Sequence, residues 1–178
     1  MRTTWRKEAK GWLKTLLLTV AIALAVRAAV VEAYVVPTGS MLPTIQEGDH
    51  LLGAKYHYWL FAPRRGDIVV FRPPEAAREL GSGASRYVKR VLAVGGDEVS
   101  VQDGVLRVNG ERVEEPYVEE APRYTVARVT VPEGQLFVLG DNRNESHDSH
   151  RWGFVEADHL VAHVFARYWP LNRLGGLR

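Results

Sequence analysis

The 178-residue chain contains no cysteine. Disulfides, a thiolate nucleophile and cysteine-based metal sites are therefore excluded, while either redox compartment stays open. It also lacks an excess of either charge. The formal net charge is +2, which lends no support to nucleic-acid binding. The basic bias sits partly at the two ends, in Arg2, Arg6, Lys7 and Lys10 and in Arg173 and Arg178. No repeat of solenoid period is present. A long uninterrupted apolar run is missing too: between Lys14 and Arg27 it covers only residues 15–26, against the roughly 20 residues needed to span a bilayer.

What is present is enough apolar material, 46% of the chain, for a packed core in one ordinary domain. If Lys14 and Arg27 snorkel, the N-terminal apolar segment lengthens to residues 12–31 and reaches spanning length. The basic residues ahead of it would hold the N-terminus in the cytoplasm. Two other readings stand beside the anchor. One is a cleavable secretory signal, for which Ala21-Ile22-Ala23 and Ala23-Leu24-Ala25 offer small-x-small sites. The other is a buried amphipathic helix.

Beyond this segment the pattern turns to β. Strands are predicted over 33–36, 50–55, 67–71, 87–94, 98–102, 105–108, 124–131, 135–139 and 160–168. Asp103-Gly104 and Asn109-Gly110 are strong hairpin signals. Many short strands joined by glycine turns predict a mainly β fold, a sandwich or a barrel. Residues 73–85, with Pro73-Pro74 and Gly81-Ser82-Gly83, read as a mobile loop. Residues 98–134 read as a small β subdomain.

Ser40 stands in Pro37-Thr38-Gly39-Ser40-Met41-Leu42-Pro43-Thr44. A serine after glycine in such a turn is ordinarily a turn residue or a helix cap. Pro37 and Pro43, however, stiffen the segment on both sides. Thr38 is placed to aim a hydroxyl at an oxyanion, with the Ser40 N–H as second donor. Met41 and Leu42 are expected to be exposed, against an apolar substrate or lipid. A serine nucleophile needs a base, and a lysine serves only when neutral. Lys89 is the candidate, because apolar neighbours desolvate it and lower its pKa. A strand lysine ordinarily points to water. Under a period of two, however, Tyr87, Lys89 and Val91 share one face and Val88, Arg90 and Leu92 the other. Each face thus carries a charge among apolar residues, so one of the two must be accommodated inside. Arg90 stays ionised and needs a carboxylate, for which Asp141 is the candidate.

The polar stretch 140–150 reads by default as a capped turn with solvated charges. Its functional reading is that Ser146 orients the lysine amine. His147 and His150 raise a Ser-His-Asp or metal alternative, but no third ligand is apparent from spacing. His159 and His163 are four apart on a predicted strand, which does not suit a metal.

Taken together, these stretches resemble the bacterial type I signal peptidases, membrane-bound leader peptidases with a Ser/Lys pair. The matching blocks are Gly39-Ser40-Met41 with Pro43-Thr44; Gly48-Asp49; Arg65 to Phe71 followed by Tyr87-Val88-Lys89-Arg90; and Gly140-Asp141-Asn142-Arg143 with Ser146, Asp148, Ser149 and Gly153. Arg27 and Glu32 fit as well. The resemblance implies a signal-peptidase-like β-barrel or sandwich catalytic domain behind a single N-terminal transmembrane helix. Residues 1–11 would be cytoplasmic, 12–33 the anchor and 34–178 extracytoplasmic, at the bacterial inner membrane. Ser40 would be the nucleophile, Lys89 the general base and Thr38 the oxyanion hydroxyl. Ser146 would orient the lysine, and Asp148 would be a structural acid. Arg90 and Asp141 would form an ion pair. Tyr34, Val36, Met41, Leu51 and Val88 would line shallow substrate pockets that admit small side chains, hence cleavage after small-x-small motifs. No cofactor, metal or nucleic acid is implied. The partners would be signal peptides of exported preproteins, the lipid bilayer and the protein-export translocon. One departure stands out: where the family has arginine directly after the Asp-Ser pair, this chain has His150, with Arg151 next. A self-cleaving Ser/Lys repressor would need a helix-turn-helix domain where the apolar segment lies. An inactive membrane-tethered β module is the other rival.

Overall fold

The computed structural model describes residues 11–22, 30–79 and 84–177. Residues 11–22 are helical and exposed. Among the described residues no helix is long and apolar enough to cross a membrane. Residues 23–29 of the expected anchor lie outside the described residues. Its far boundary is corrected: Val31 to Ala33, expected in the anchor, belong to a strand and pair with Ala54 to Leu52.

Twelve strands follow among the described residues. They are β1 Val31–Val35, β2 His50–Ala54, β3 Ile68–Phe71, β4 Tyr87–Val94, β5 Glu98–Gln102, β6 Val105–Val108, β7 Glu111–Arg112, β8 Val126–Thr130, β9 Gln135–Leu139, β10 Val155–Glu156, β11 Leu160–Trp169 and β12 Gly175–Gly176. The larger sheet runs β1-β2-β11-β3-β4-β9-β10, with β12 beside β11. The smaller runs β7-β6-β5-β8. All these pairings are antiparallel, as connections by short turns favour. Asp103 and Gly104 both take positive φ, 50° and 74°, which is why an Asp-Gly pair joins β5 to β6.

The core lies on both faces of the central strands. All four residues of β3 are buried, which its unbroken apolar run anticipates. One cluster joins Tyr34, Val36, Met41, Ile45 and Leu51 to Ile68 and Val70. A second joins Leu92, Phe137 and Leu139 of the larger sheet to Val99, Val101, Leu106 and Val108 of the smaller one. The smaller sheet therefore shares its core with the larger. The segment 73–85 is not all loop: Glu75–Glu79 is a short helix that buries Ala77, and residues 80–83 lie outside the described residues.

Candidate active site

Strand β4 lies between β3 and β9 and is covered on both sides, so both of its charges are buried where one was expected to be. Arg90 forms a two-pronged ion pair with Asp141, at 2.9 and 2.7 Å. It also donates to Gly66 O and lies 3.9 Å from the centre of the Tyr117 ring. Thr44 Oγ1 donates to the same carboxylate at 2.6 Å. Lys89 has a different partner: its Nζ donates to Ser40 Oγ at 2.6 Å. Burial pushes the Lys89 pKa down to about 8, and the nearby carboxylates of Asp148 and Asp141 oppose that fall. Removing an ammonium from water favours its neutral form.

Ser40 is held from both sides of its turn. Ile45 N donates to Met41 O, and these two residues sink into the core together. This corrects the expectation for Met41, which is 1% exposed rather than free to touch lipid. On the other side, Asn142 N donates to Ser40 O and Asn142 Nδ2 to Gly39 O. Gly140 makes this closure possible, because a Cβ there would overlap Ser40 O and Ser146 Oγ. Thr38 Oγ1 stands 3.4 Å from Ser40 Oγ. Ser146 Oγ is buried and finds no hydrogen-bond partner among the described residues.

Asp148 is fully buried and caps the helix Ser149–Trp152. It accepts from Gly140 N at 2.9 Å and pairs with His150 Nδ1 at 2.6 Å. His150 in turn stacks on Tyr124, with ring centres 3.9 Å apart. Of the two residues considered for this acid, His150 makes the contact, while Arg151 donates to the far nitrogen of His150. A pair missed by sequence reasoning supports the same loop: Arg143 grips Glu115 through two 2.6 Å bonds and donates to Gly140 O. Glu115 lies in the segment read as a small β subdomain, where no local signal marked it.

A cleft of about 320 Å³ opens at Ser40 and Lys89. Tyr34, Val36, Met41 and Val88 line it, as expected, with Thr38 at its edge. Leu51 does not: it is fully buried in the core beneath, because its side of β2 faces inward. Gly53 lets Tyr34 lie across β2, since a Cβ would come within 2.7 Å of the ring. Arg86, Glu145 and His147 add to the lining charge and polarity that were not assigned to it. Among the described residues, the group with metal-ligand spacing is Glu156, Asp158 and His159, and none of them lines the cleft.

The cleft thus holds a serine hydroxyl in contact with a buried lysine of lowered pKa. The chain belongs to the signal peptidase family, peptidase S26, whose family model matches residues 9–169. A signal peptidase I of Leptolyngbya laminosa is 42% identical, over 93% of this chain and 82% of its own. One from Bacillus caldolyticus is 35% identical, over 95% of this chain and 97% of its own. A crystal structure of a signal peptidase I from Enterococcus faecalis has 31% identity and a TM-score of 0.48, covering 58% of this chain and 97% of that one.

Proposed function

We propose that Ser40 and Lys89 are the nucleophile and general base with which this signal peptidase cuts signal peptides from exported preproteins. The observation that carries the reading is the 2.6 Å contact between Lys89 Nζ and Ser40 Oγ inside the protein. Once Lys89 loses its proton, the contact reverses and the serine hydroxyl donates to the amine. Lys89 takes that proton as Oγ attacks the scissile carbonyl, and then passes it to the leaving amine. The Ser40 N–H and the Thr38 hydroxyl receive the developing oxyanion. Water activated by Lys89 then releases the acyl group.

Ser146 and Asp148 are supporting groups in this reading. Ser146, whose hydroxyl is unpartnered among the described residues, orients the amine by a bond formed once Lys89 is neutral, and Asp148 holds the loop through Gly140. Tyr34, Val36, Met41 and Val88 form the wall that admits small side chains, so cleavage follows small-x-small motifs. The N-terminal segment is a single-pass anchor in the bacterial cell membrane, with the N-terminus in the cytoplasm and the catalytic domain outside. The bilayer and the export translocon are its neighbours there.

Cleavage of a leader peptide by Ser40→Ala and Lys89→Ala variants tests the chemistry. Each is expected to lose several powers of ten in rate with an unchanged circular dichroism spectrum. A Lys89→Ala enzyme that turns over like the parent contradicts the mechanism.

A further inference from the structure

Two carboxylates raise the Lys89 pKa against the effect of burial, Asp148 more strongly than Asp141. They are balanced in different ways. Asp141 is paired with Arg90, whose charge is permanent. Asp148 is fully buried, and its ion-pair partner among the described residues is His150, through Nδ1 at 2.6 Å. The ring of His150 is fixed from its other sides too. It lies nearly parallel to the Tyr124 ring, at 9°, and its Nε2 accepts from Arg151 Nε at 3.3 Å. A ring nitrogen that accepts carries no proton, so the single ring proton sits on Nδ1 and points at Asp148. A neutral imidazole gives Asp148 a hydrogen bond but leaves its charge unbalanced. Arginine, the residue of the family pattern at this place, would cancel that charge.

Around Lys89 the charged and titratable groups are Asp141 and Asp148, Tyr87 with its ring centre 5.7 Å from Nζ, and Glu145 and His147 on the cleft wall. Around His150 they are Asp148, Arg151 and Tyr124, with the Arg143–Glu115 pair in electrostatic reach of Tyr124. We propose that His150 is a positioning residue that tunes the working pH of the Ser40–Lys89 pair. As a neutral donor it holds Asp148 in place without cancelling its charge, so Lys89 keeps its proton to a higher pH than a permanent cation at position 150 would allow. The link to rate rests on the reading of Lys89 as the general base. The electrostatic effect on Lys89 does not, and the two are measured separately.

His150→Arg and His150→Gln in the full chain, in detergent micelles, test the proposal. Glutamine is a neutral donor and leaves the charge as it is. The lysines of the chain are Lys7, Lys10, Lys14, Lys55 and Lys89, so carbon-13 labelling of lysine gives a sparse NMR spectrum in which Lys89→Met assigns the Lys89 signal. In the arginine variant Lys89 is expected to titrate at least about half a unit below the parent, and in the glutamine variant at the parent's pH. The rise of kcat/KM for a leader peptide should move with it, which makes the arginine variant about three times faster than the parent on the acidic limb. Lys89 titrating alike in all three proteins overturns the proposal. So does an equal fall in the glutamine variant, because a lost contact and not charge is then the cause. A fall in the Lys89 titration with no movement of the rate profile supports the tuning and overturns Lys89 as the base. If the arginine variant does not fold, Asp148→Asn removes the same charge at its source. Lys89 must then titrate below the parent, and an unchanged titration overturns the proposal.

Discussion

Burying Lys89 carries a cost to folding. Its pKa falls from 10.5 to about 8 on burial, so the unfolded chain holds this proton more tightly than the native one. The native state is therefore penalised increasingly as pH drops from about 10.5 to 8, and the full penalty persists below 8. A shift of this size corresponds to about 3 kcal/mol. Lys89→Met, which keeps the bulk and removes the charge, is expected to be inactive and more stable than the parent at pH 7, with the difference shrinking near pH 10.5. Urea unfolding at the two pH values measures this, and a methionine variant less stable at pH 7 contradicts it. Thr38 is tested by chemistry instead. Thr38→Val removes the hydroxyl with little change of shape, and the loss of one oxyanion donor costs about 2.7–4 kcal/mol. Steady-state kinetics should show a kcat lowered by about two orders of magnitude or more with KM nearly unchanged. An unchanged kcat would make Thr38 a turn residue only.

At the scale of elements, β4 brings both of its charges inside because β3 and β9 flank it and core clusters cover its two faces, through Val88 and Leu92 on one and Val91 on the other. Arg90 then depends on Asp141, which comes from the loop after β9 and ties that loop to the centre of the sheet. Asp141→Asn leaves the guanidinium facing a neutral partner, and breaking a buried pair costs about 3–5 kcal/mol. Chemical denaturation should show a loss of that order, and a loss below about 1 kcal/mol would mean that water reaches the pair. The Arg90–Asp141 partnership was legible because arginine cannot shed its charge and few acids were placed to meet it. The Arg143–Glu115 pair was not legible: its partners are 28 positions apart, and Glu115 is one of five glutamates within residues 111–120, with nothing local to single it out. Met41 was misread for a related reason. A polar, proline-bounded turn suggests exposure, but the bond from Ile45 N to Met41 O winds one helical turn and sends both apolar side chains inward. The hairpins were legible because Asp-Gly and Asn-Gly act locally. The helix Glu75–Glu79 was hidden by the prolines and glycines on either side of it.

At the scale of the molecule, a curled sheet brings together residues that are far apart in sequence. Ser40 follows β1, at one edge of the sheet order, while Lys89 lies in β4, with β2, β11 and β3 between the two strands. Their contact shows how far the sheet bends. Spacing alone could nominate both residues, but not their meeting. β1 runs from Val31 towards the turn that holds Ser40, so that turn is separated from the N-terminal segment by the strand's length, about 14 Å at the usual rise. The central claim is that a neutral Lys89 takes the proton of Ser40, and the pH dependence of kcat/KM for a leader peptide tests it most directly. The account predicts a rate that rises with pH through about 8, as the ammonium gives way to the free amine. It also predicts that Lys89→Ala abolishes this activity across the whole range. A profile flat from pH 6 to pH 10, or a Lys89→Ala enzyme that keeps the same rise, would contradict it.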